Sequence, residues 1–172
     1  LPVTTQLPDE SLDPADWDEL KRLAHQAIDD GFDYLQRSRE RPVWQPVPDG
    51  VVARLQQPAP RLPQGAAAAY GEFKELVLPY AMGNTHPRFW AWFMGNGTPF
   101  AAVGDFLAAV LNPNMGGGNH VPNHVEAQVI DWCKEIVGFP LTASGLLVSG
   151  GSMANFVGLA VARNSRSGVD VR

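Results

Sequence analysis

Gly150-Gly151-Ser152 stands between an apolar stretch, Gly145 to Ser149, and a run of small apolar residues that reads as a helix. At such a place the first amides of the helix have no intrahelical acceptor, glycines let a ligand approach the backbone, and a serine hydroxyl adds a donor. That combination suits a phosphate group. Two other readings stay open. The glycines could serve only close packing, and Gly150-Gly151-Ser152-Met153-Ala154 is one residue away from the G-x-S-x-G elbow that exposes a nucleophilic serine. The dinucleotide and P-loop fingerprints are excluded, because their glycine spacing and the lysine-serine or lysine-threonine pair are missing.

Other residues with chemical potential are the histidines and a dense aromatic cluster. His120 and His124 are four apart, but Pro122 lies between them. A shared helical face is not expected, and a divalent metal needs more ligands than this pair supplies, so no metal site is predicted. His25 falls among polar helix positions and reads as solvated. In Phe89-Trp90-Ala91-Trp92-Phe93, strand-like alternation sends Trp90 and Trp92 to one side and Phe89 and Phe93 to the other. Glu126 shares a helical face with Ile130, which points to structural pairing rather than acid-base work.

The elements that must position these groups follow from caps and periodicity. Asp13 with Pro14 predicts the start of a first helix, with Trp17, Leu20, Ala24, Ala27 or Ile28, and Leu35 on one apolar stripe. Pro42, Pro46 and Pro48 make RPVWQPVPDG an extended connector, and Trp44 and Val47 favour a strap over a free linker. A second proline-rich stretch precedes a short helix with Phe73, Leu76, Val77 and Tyr80 inward. Thr98 and Pro99 open a third helix, which ends at NPNMGGGN, a loop suited to unusual backbone angles. A fourth helix is predicted over 123–137, with Val125, Val129, Trp132, Cys133 and Ile136 inward and Gly138 as its left-handed stop. Gly145 to Ser149 reads as a buried parallel strand, and a helix begins near Ser152.

The chain has 172 residues, 45% of them hydrophobic, and a formal charge of −5 with its basic residues scattered. That balance excludes nucleic acid and anionic membrane as main partners. A single cysteine, Cys133, fits a reducing, cytoplasmic setting, and LPVTTQLPDE lacks the features of a signal peptide.

The string LLVSGGSMANFVGLAVAR, with HPRFWAWF, the VEAQVIDW helix and its GFP ending, resembles the group II pyridoxal-phosphate (PLP) decarboxylases. This family includes the aromatic-amino-acid, histidine and glutamate decarboxylases, and the resemblance runs from the first helix to Arg172. It implies an α/β architecture of fold type I, with a large, mostly parallel sheet domain and an N-terminal helical segment that clasps the second subunit of a homodimer. On that pattern residues 1–80 are the clasp and its connectors, and 81–172 begin the large domain, which continues past Arg172. Gly150, Gly151 and Ser152 would hold the phosphate of pyridoxal 5'-phosphate. Trp92 and Phe93 match the aromatic pair of the substrate pocket, Asn114 falls where another pocket residue lies, and His86 lies in a segment resembling the pocket rim.

The implied reaction is decarboxylation of an aromatic or neutral L-amino acid to the amine and carbon dioxide. Arg88 is the counter-indication, since it could recognise an acidic substrate. Lys21, Lys74 and Lys134 read as surface residues, so no catalytic residue is assigned and the 172-residue segment alone is expected to be inactive. Met153 stands where many relatives have an acidic residue, and residues 119–124 lack their serine-proline pair. An aldehyde synthase, another fold type I enzyme, a non-catalytic binding protein of the same fold and a serine hydrolase are the alternatives.

Overall fold

The computed structural model describes residues 13–167; the N-terminal decapeptide read for a leader and the end at Arg172 lie outside them. The chain divides into two compact units, Leu1–Phe106 and Leu107–Arg172, each described by itself. The sequence reading draws its boundary between residues 80 and 81.

In the first unit, α1 spans Trp17–Gln36. Its cap is Asp16, three residues later than the sequence suggests, because Asp16 combines an extended backbone with a carboxylate that accepts from Asp18 N at 2.8 Å and Glu19 N at 3.1 Å. Asp18 and Glu19 add negative charge to the positive end of the helix. After a 3₁₀ turn, Ser38–Glu40, residues 41–48 run extended and lie over the segment 79–83 as a strap. Gln45 Nε2 donates to Pro79 O at 2.8 Å.

Close backbone passage fixes this crossing. Gly83 has φ +84°, and a Cβ there would stand 1.7 Å from Val43 O. The connector expected over the whole of RPVWQPVPDG ends early, since Asp49 and Gly50 begin α2, Asp49–Leu55. Pro48 supplies the extended N-cap, and its carbonyl receives Val51 N and Val52 N.

Helix α3, Ala66–Glu72, continues as a π turn, Phe73–Val77, and a 3₁₀ turn, Leu78–Tyr80. The change of winding breaks the 3.6-residue register. Of the predicted inward face only Leu76 is buried, while Phe73 and Val77 stay nearly half exposed. Asp30 of α1 receives Tyr70 Oη and Lys74 Nζ, both at 2.7 Å, which pins α3 to α1. Helix α4, Pro99–Leu111, starts as expected, with Ala101 N on Thr98 Oγ1 at 3.3 Å. The boundary between the units falls inside it.

The second unit holds α5, Val121–Val137, and α6, Gly151–Ser167. Helix α5 starts two residues before its predicted place, because Pro122 fits the first turn, where its missing N–H costs nothing. Gly138 ends it at φ 67°, ψ 32°, and Phe139 N closes on Lys134 O at 2.8 Å. Its half-covered residues are Pro122, Asn123, Glu126, Val129, Ile130 and Lys134, whereas Trp132 and Ile136 are open. The covered stripe is therefore rotated from the expected one, towards the returning segment 141–149.

That segment is extended, but no strand forms among the described residues, so the predicted parallel sheet is not observed. A single run cannot make a ladder without a partner run. The same lack of partners shows in burial, where only Leu76 and His86 are buried among the described residues.

Candidate functional site

Helix α5 positions the approach to the glycine turn. Lys134 Nζ, nearly buried and paired with Asp131 at 2.6 Å, donates to Leu141 O at 3.1 Å and Ala143 O at 2.9 Å. A methyl group on Gly145 would stand 3.0 Å from Ile130 Cγ2, so the segment lies close against the helix. Leu147 N then donates to Glu126 Oε1 at 3.0 Å. Sequence reasoning expected a structural role for Glu126 but missed Lys134 as an anchor. The signal available was Gly138, whose left-handed stop turns the chain back along α5.

Beyond this anchored segment, α6 opens at Gly151. Its first intrahelical bond runs from Ala154 N to Gly150 O at 3.0 Å, so the amides of Gly151, Ser152 and Met153 precede the ladder. Nothing stands within 4 Å of a Cβ built on Gly150 or Gly151, and the first turn carries no acidic residue. Such an open, amide-rich helix start fits a phosphate dianion, and the residue types there do not oppose it. Met153 in place of an acid keeps the local field favourable.

Asn114 belongs to the same unit, in the loop 112–120. Its Oδ1 accepts from Gly116 N at 2.9 Å, and its carbonyl and that of Gly117 meet His120 Nε2 at 3.0 and 3.1 Å. With two carbonyl partners, Nε2 must carry the proton. Asn123 Nδ2 donates to Gly118 O at 3.0 Å, and His124 Nε2 contacts Asn119 Oδ1 at 3.5 Å. These side chains shape the loop. No group of three metal-ligating side chains is found among the described residues.

The remaining predicted site residues belong to the first unit. Trp90, Trp92 and Phe93 are strongly exposed, and the expected alternation fails at Trp92, whose φ is +56°. Residues 91–93 bend there, which brings the Trp92 ring to 6.2 Å from that of Phe89, the residue assigned to the opposite side. A bulky residue in the left-handed region is strained, and the strain aims one indole out of the run. His86 is separate from this cluster in kind: it is buried, with Nδ1 accepting from Arg88 N at 3.0 Å. Burial, then the charges of Arg88, Arg41 and Arg39, hold its pKa below the ordinary imidazole value. The Arg88 residue is exposed.

Each of the three lysines is engaged. Lys21 pairs with Asp18 at 3.6 Å, Lys74 with Asp30, and Lys134 with Asp131 and two carbonyls.

No family model matches the chain. It is 29% identical over 157 residues to an aromatic-L-amino-acid decarboxylase of Bacillus atrophaeus, covering 90% of this chain and 33% of that protein. To a tyrosine decarboxylase of Oryza sativa subsp. japonica it is 31% identical over 151 residues, covering 83% and 27%. The chain thus spans about a third of the length of the curated relatives it matches. Among solved structures, Oryza sativa TDC with PLP and tryptamine superposes with a TM-score of 0.72 at 22% identity, over 94% of this chain and 37% of that one. Catharanthus roseus tryptophan decarboxylase in complex with L-tryptophan gives 0.60 at 25% identity, over 74% and 28%.

The superpositions show that the described residues share the fold of the corresponding part of these solved decarboxylases, without its sheet. The sequence relatives agree with this, the chain being similar, over the part it spans, to aromatic-L-amino-acid and tyrosine decarboxylases.

Proposed function

We propose that the complete protein is a PLP-dependent carboxy-lyase that converts an aromatic L-amino acid to its amine and carbon dioxide. The observation that carries this reading is the anchored glycine turn at the head of α6, with three amides ahead of the helical ladder and no side chain in the approach. The names of these relatives, an aromatic-L-amino-acid, a tyrosine and a tryptophan decarboxylase, support the reaction and the substrate class. They favour it over an aldehyde synthase, a non-catalytic binding protein and a hydrolase.

When bound, PLP supplies an electron sink for the carbon that loses its carboxylate. The contribution of this chain is binding and positioning. Gly150, Gly151 and Ser152 would hold the phosphate through amides and one hydroxyl, and Glu126 and Lys134 would keep the incoming segment in register. His86, Trp92, Phe93 and Asn114 are taken as substrate-pocket residues on the family resemblance. Asn114 Oδ1 is already committed to Gly116 N, so its carbonyl-loop geometry matters as much as its side chain.

With all three lysines committed to carboxylates, the amine that carries the cofactor is expected from sequence that the relatives have and this chain does not span. We further read residues 1–80 as a clasp across a cytoplasmic homodimer, with the half-open Trp17, Ile28 and Phe32 of α1 as its apolar stripe. No described helix is long and apolar enough to cross a membrane.

The test is made on the full-length protein. Tryptophan, tyrosine, phenylalanine, leucine, histidine, glutamate and aspartate compete, scored by carbon dioxide release and kcat/KM. The aromatic acids should lead by a moderate margin, since one aromatic pair contributes about 0.5–1.5 kcal/mol beyond its buried area. Dominance of glutamate or aspartate, abolished by Arg88→Gln, would overturn the substrate class. Ser152→Ala should weaken PLP retention about 10- to 150-fold, the worth of one hydrogen bond to a charged group, with turnover restored at high PLP. Covalent labelling of Ser152 by a serine-directed phosphonate, with activity indifferent to PLP, would replace the phosphate cradle with a nucleophile.

A further inference from the structure

Beneath the strap of the first unit lies a cavity of about 250 Å³, bordered by Tyr34, Arg41, Trp44, Pro79 and His86 among others. Two buried polar atoms of its lining residues have no partner, Arg41 Nε and His86 Nε2. His86 is only 5% exposed. Both atoms are donors. Arg41 Nε always carries a hydrogen, and His86 Nδ1 accepts from Arg88 N, which leaves the ring proton on Nε2.

The surrounding bonds hold these donors in place without satisfying them. Arg41 Nη2 donates to Tyr34 O at 2.6 Å, and its guanidinium lies over the Tyr34 ring at 3.3 Å. No ion pair to Arg41 is formed among the described residues. Arg39, Arg41 and Arg88 all act electrostatically on His86, so the neighbourhood is cationic. Buried donors without partners are costly and rare in native structures. Two of them on the walls of one cavity, in a positive field, call for an acceptor that carries negative charge.

We propose that this cavity is a binding site for a carboxylate, received by Arg41 Nε–H and His86 Nε2–H beneath the strap. The volume decides the size of the group. One water occupies about 30 Å³ of liquid, so 250 Å³ holds an acetate-sized anion with companion waters and not a nucleotide or an extended peptide. A carboxylate also matches the guanidinium in shape, presenting oxygens in the plane of its N–H groups. The carboxylate can be a free small acid or a side chain of a second copy of the protein. Either source would lock the strap against the segment 79–86, which leads directly into the aromatic run at 89–93.

The experiment uses the full-length protein and acetate as probe, with chloride at equal ionic strength as control. Thermal stability is followed against concentration, and a crystal structure is determined with and without acetate. For a free acid, acetate should give a saturable stabilisation that chloride does not, and the crystal should show it on Arg41 and His86. Arg41→Lys, which keeps the charge but loses the Nε donor, should weaken the acetate response about 10- to 150-fold. His86→Phe, which leaves a ring without a donor, is the second variant and should do the same. For a side chain of a second copy, the acetate-free crystal should already show a carboxylate between the two donors, with no added effect of acetate. Water alone in both crystals and equal responses to acetate and chloride would overturn the proposal. An acetate response unchanged in both variants would also overturn it, marking an adventitious additive only. None of these readouts depends on decarboxylation, so the fate of the proposed activity does not decide this one.

Discussion

Replacing Gly83 with alanine should detach the strap. In the native crossing a Cβ at Gly83 would stand 1.7 Å from Val43 O and 2.9 Å from Val43 C. Ordinary van der Waals contact begins at 3.4 Å, so the Val43 carbonyl would have to retreat by as much again as its present separation. Its neighbour Gln45 donates to Pro79 O at 2.8 Å, and a displacement of that size breaks the bond. The left-handed backbone costs an alanine about 1–2 kcal/mol, and loss of the hydrogen bond adds about 1 kcal/mol. With the packing of the strap, a total of about 3 kcal/mol or more is expected. Gly71→Ala in α3 is the control, since nothing lies within 4 Å of its Cβ and the helix should gain about 0.5–1 kcal/mol. The assay is thermal or urea unfolding of the full-length protein, with limited proteolysis to locate cleavage within 41–48. If Gly83→Ala melted with the wild type and the strap stayed resistant, the close crossing would be refuted.

Other expectations follow from the polar anchors. Hydrogen bonds from Lys74 and then Tyr70 lower the Asp30 pKa, so the stability Asp30 contributes is present above the unfolded carboxylate value near 3.8 and is lost as pH falls through the lower folded value. Asp30→Asn should remove that acid-side loss, read as unfolding against pH. Desolvation, then the bond to Asp30, raises Tyr70 to about 12 from 10.0, so its contribution is full below pH 10 and disappears as pH climbs to about 12; Tyr70→Phe should flatten that alkaline limb. Lys134→Met should destabilise the second unit by about 1–3 kcal/mol, because Leu141 O and Ala143 O lose a charged donor, and hydrogen exchange over 141–149 should quicken.

What the sequence disclosed and what it hid divide along physical lines. Local signals with one strong determinant read correctly: Thr98 caps α4, Gly138 ends α5 in the left-handed region, and the proline-spaced connector lies down as a strap. Competition between neighbours read less well. Asp13 and Asp16 are both good capping residues, and only the geometry shows that Asp16 reaches two amides. Periodicity failed where the winding changed, at the π turn 73–77, and where strain entered, at Trp92, since neither departure has a residue-type signature.

The glycine turn was legible as chemistry because its signal is intrinsic to the backbone: two glycines and a serine ahead of a helix leave amides without acceptors wherever they occur. Its support was not. Glu126 and Lys134 act through Leu147 N, Leu141 O and Ala143 O, backbone groups far along the chain that no spacing rule links to them. The same asymmetry holds for His86. The sequence places it before a proline in a rim-like segment, but it is buried beside a cavity that it shares with Pro42, Val43 and Trp44 of the strap, whose crossing Gly83 admits from far along the chain. A residue type can announce the chemistry it is able to do; the partners that leave a donor spoken for or unsatisfied are decided by long-range crossings. That is why the turn at 150–152 emerges from residue types alone, while the unsatisfied pair at Arg41 and His86 emerges only once the chain is folded.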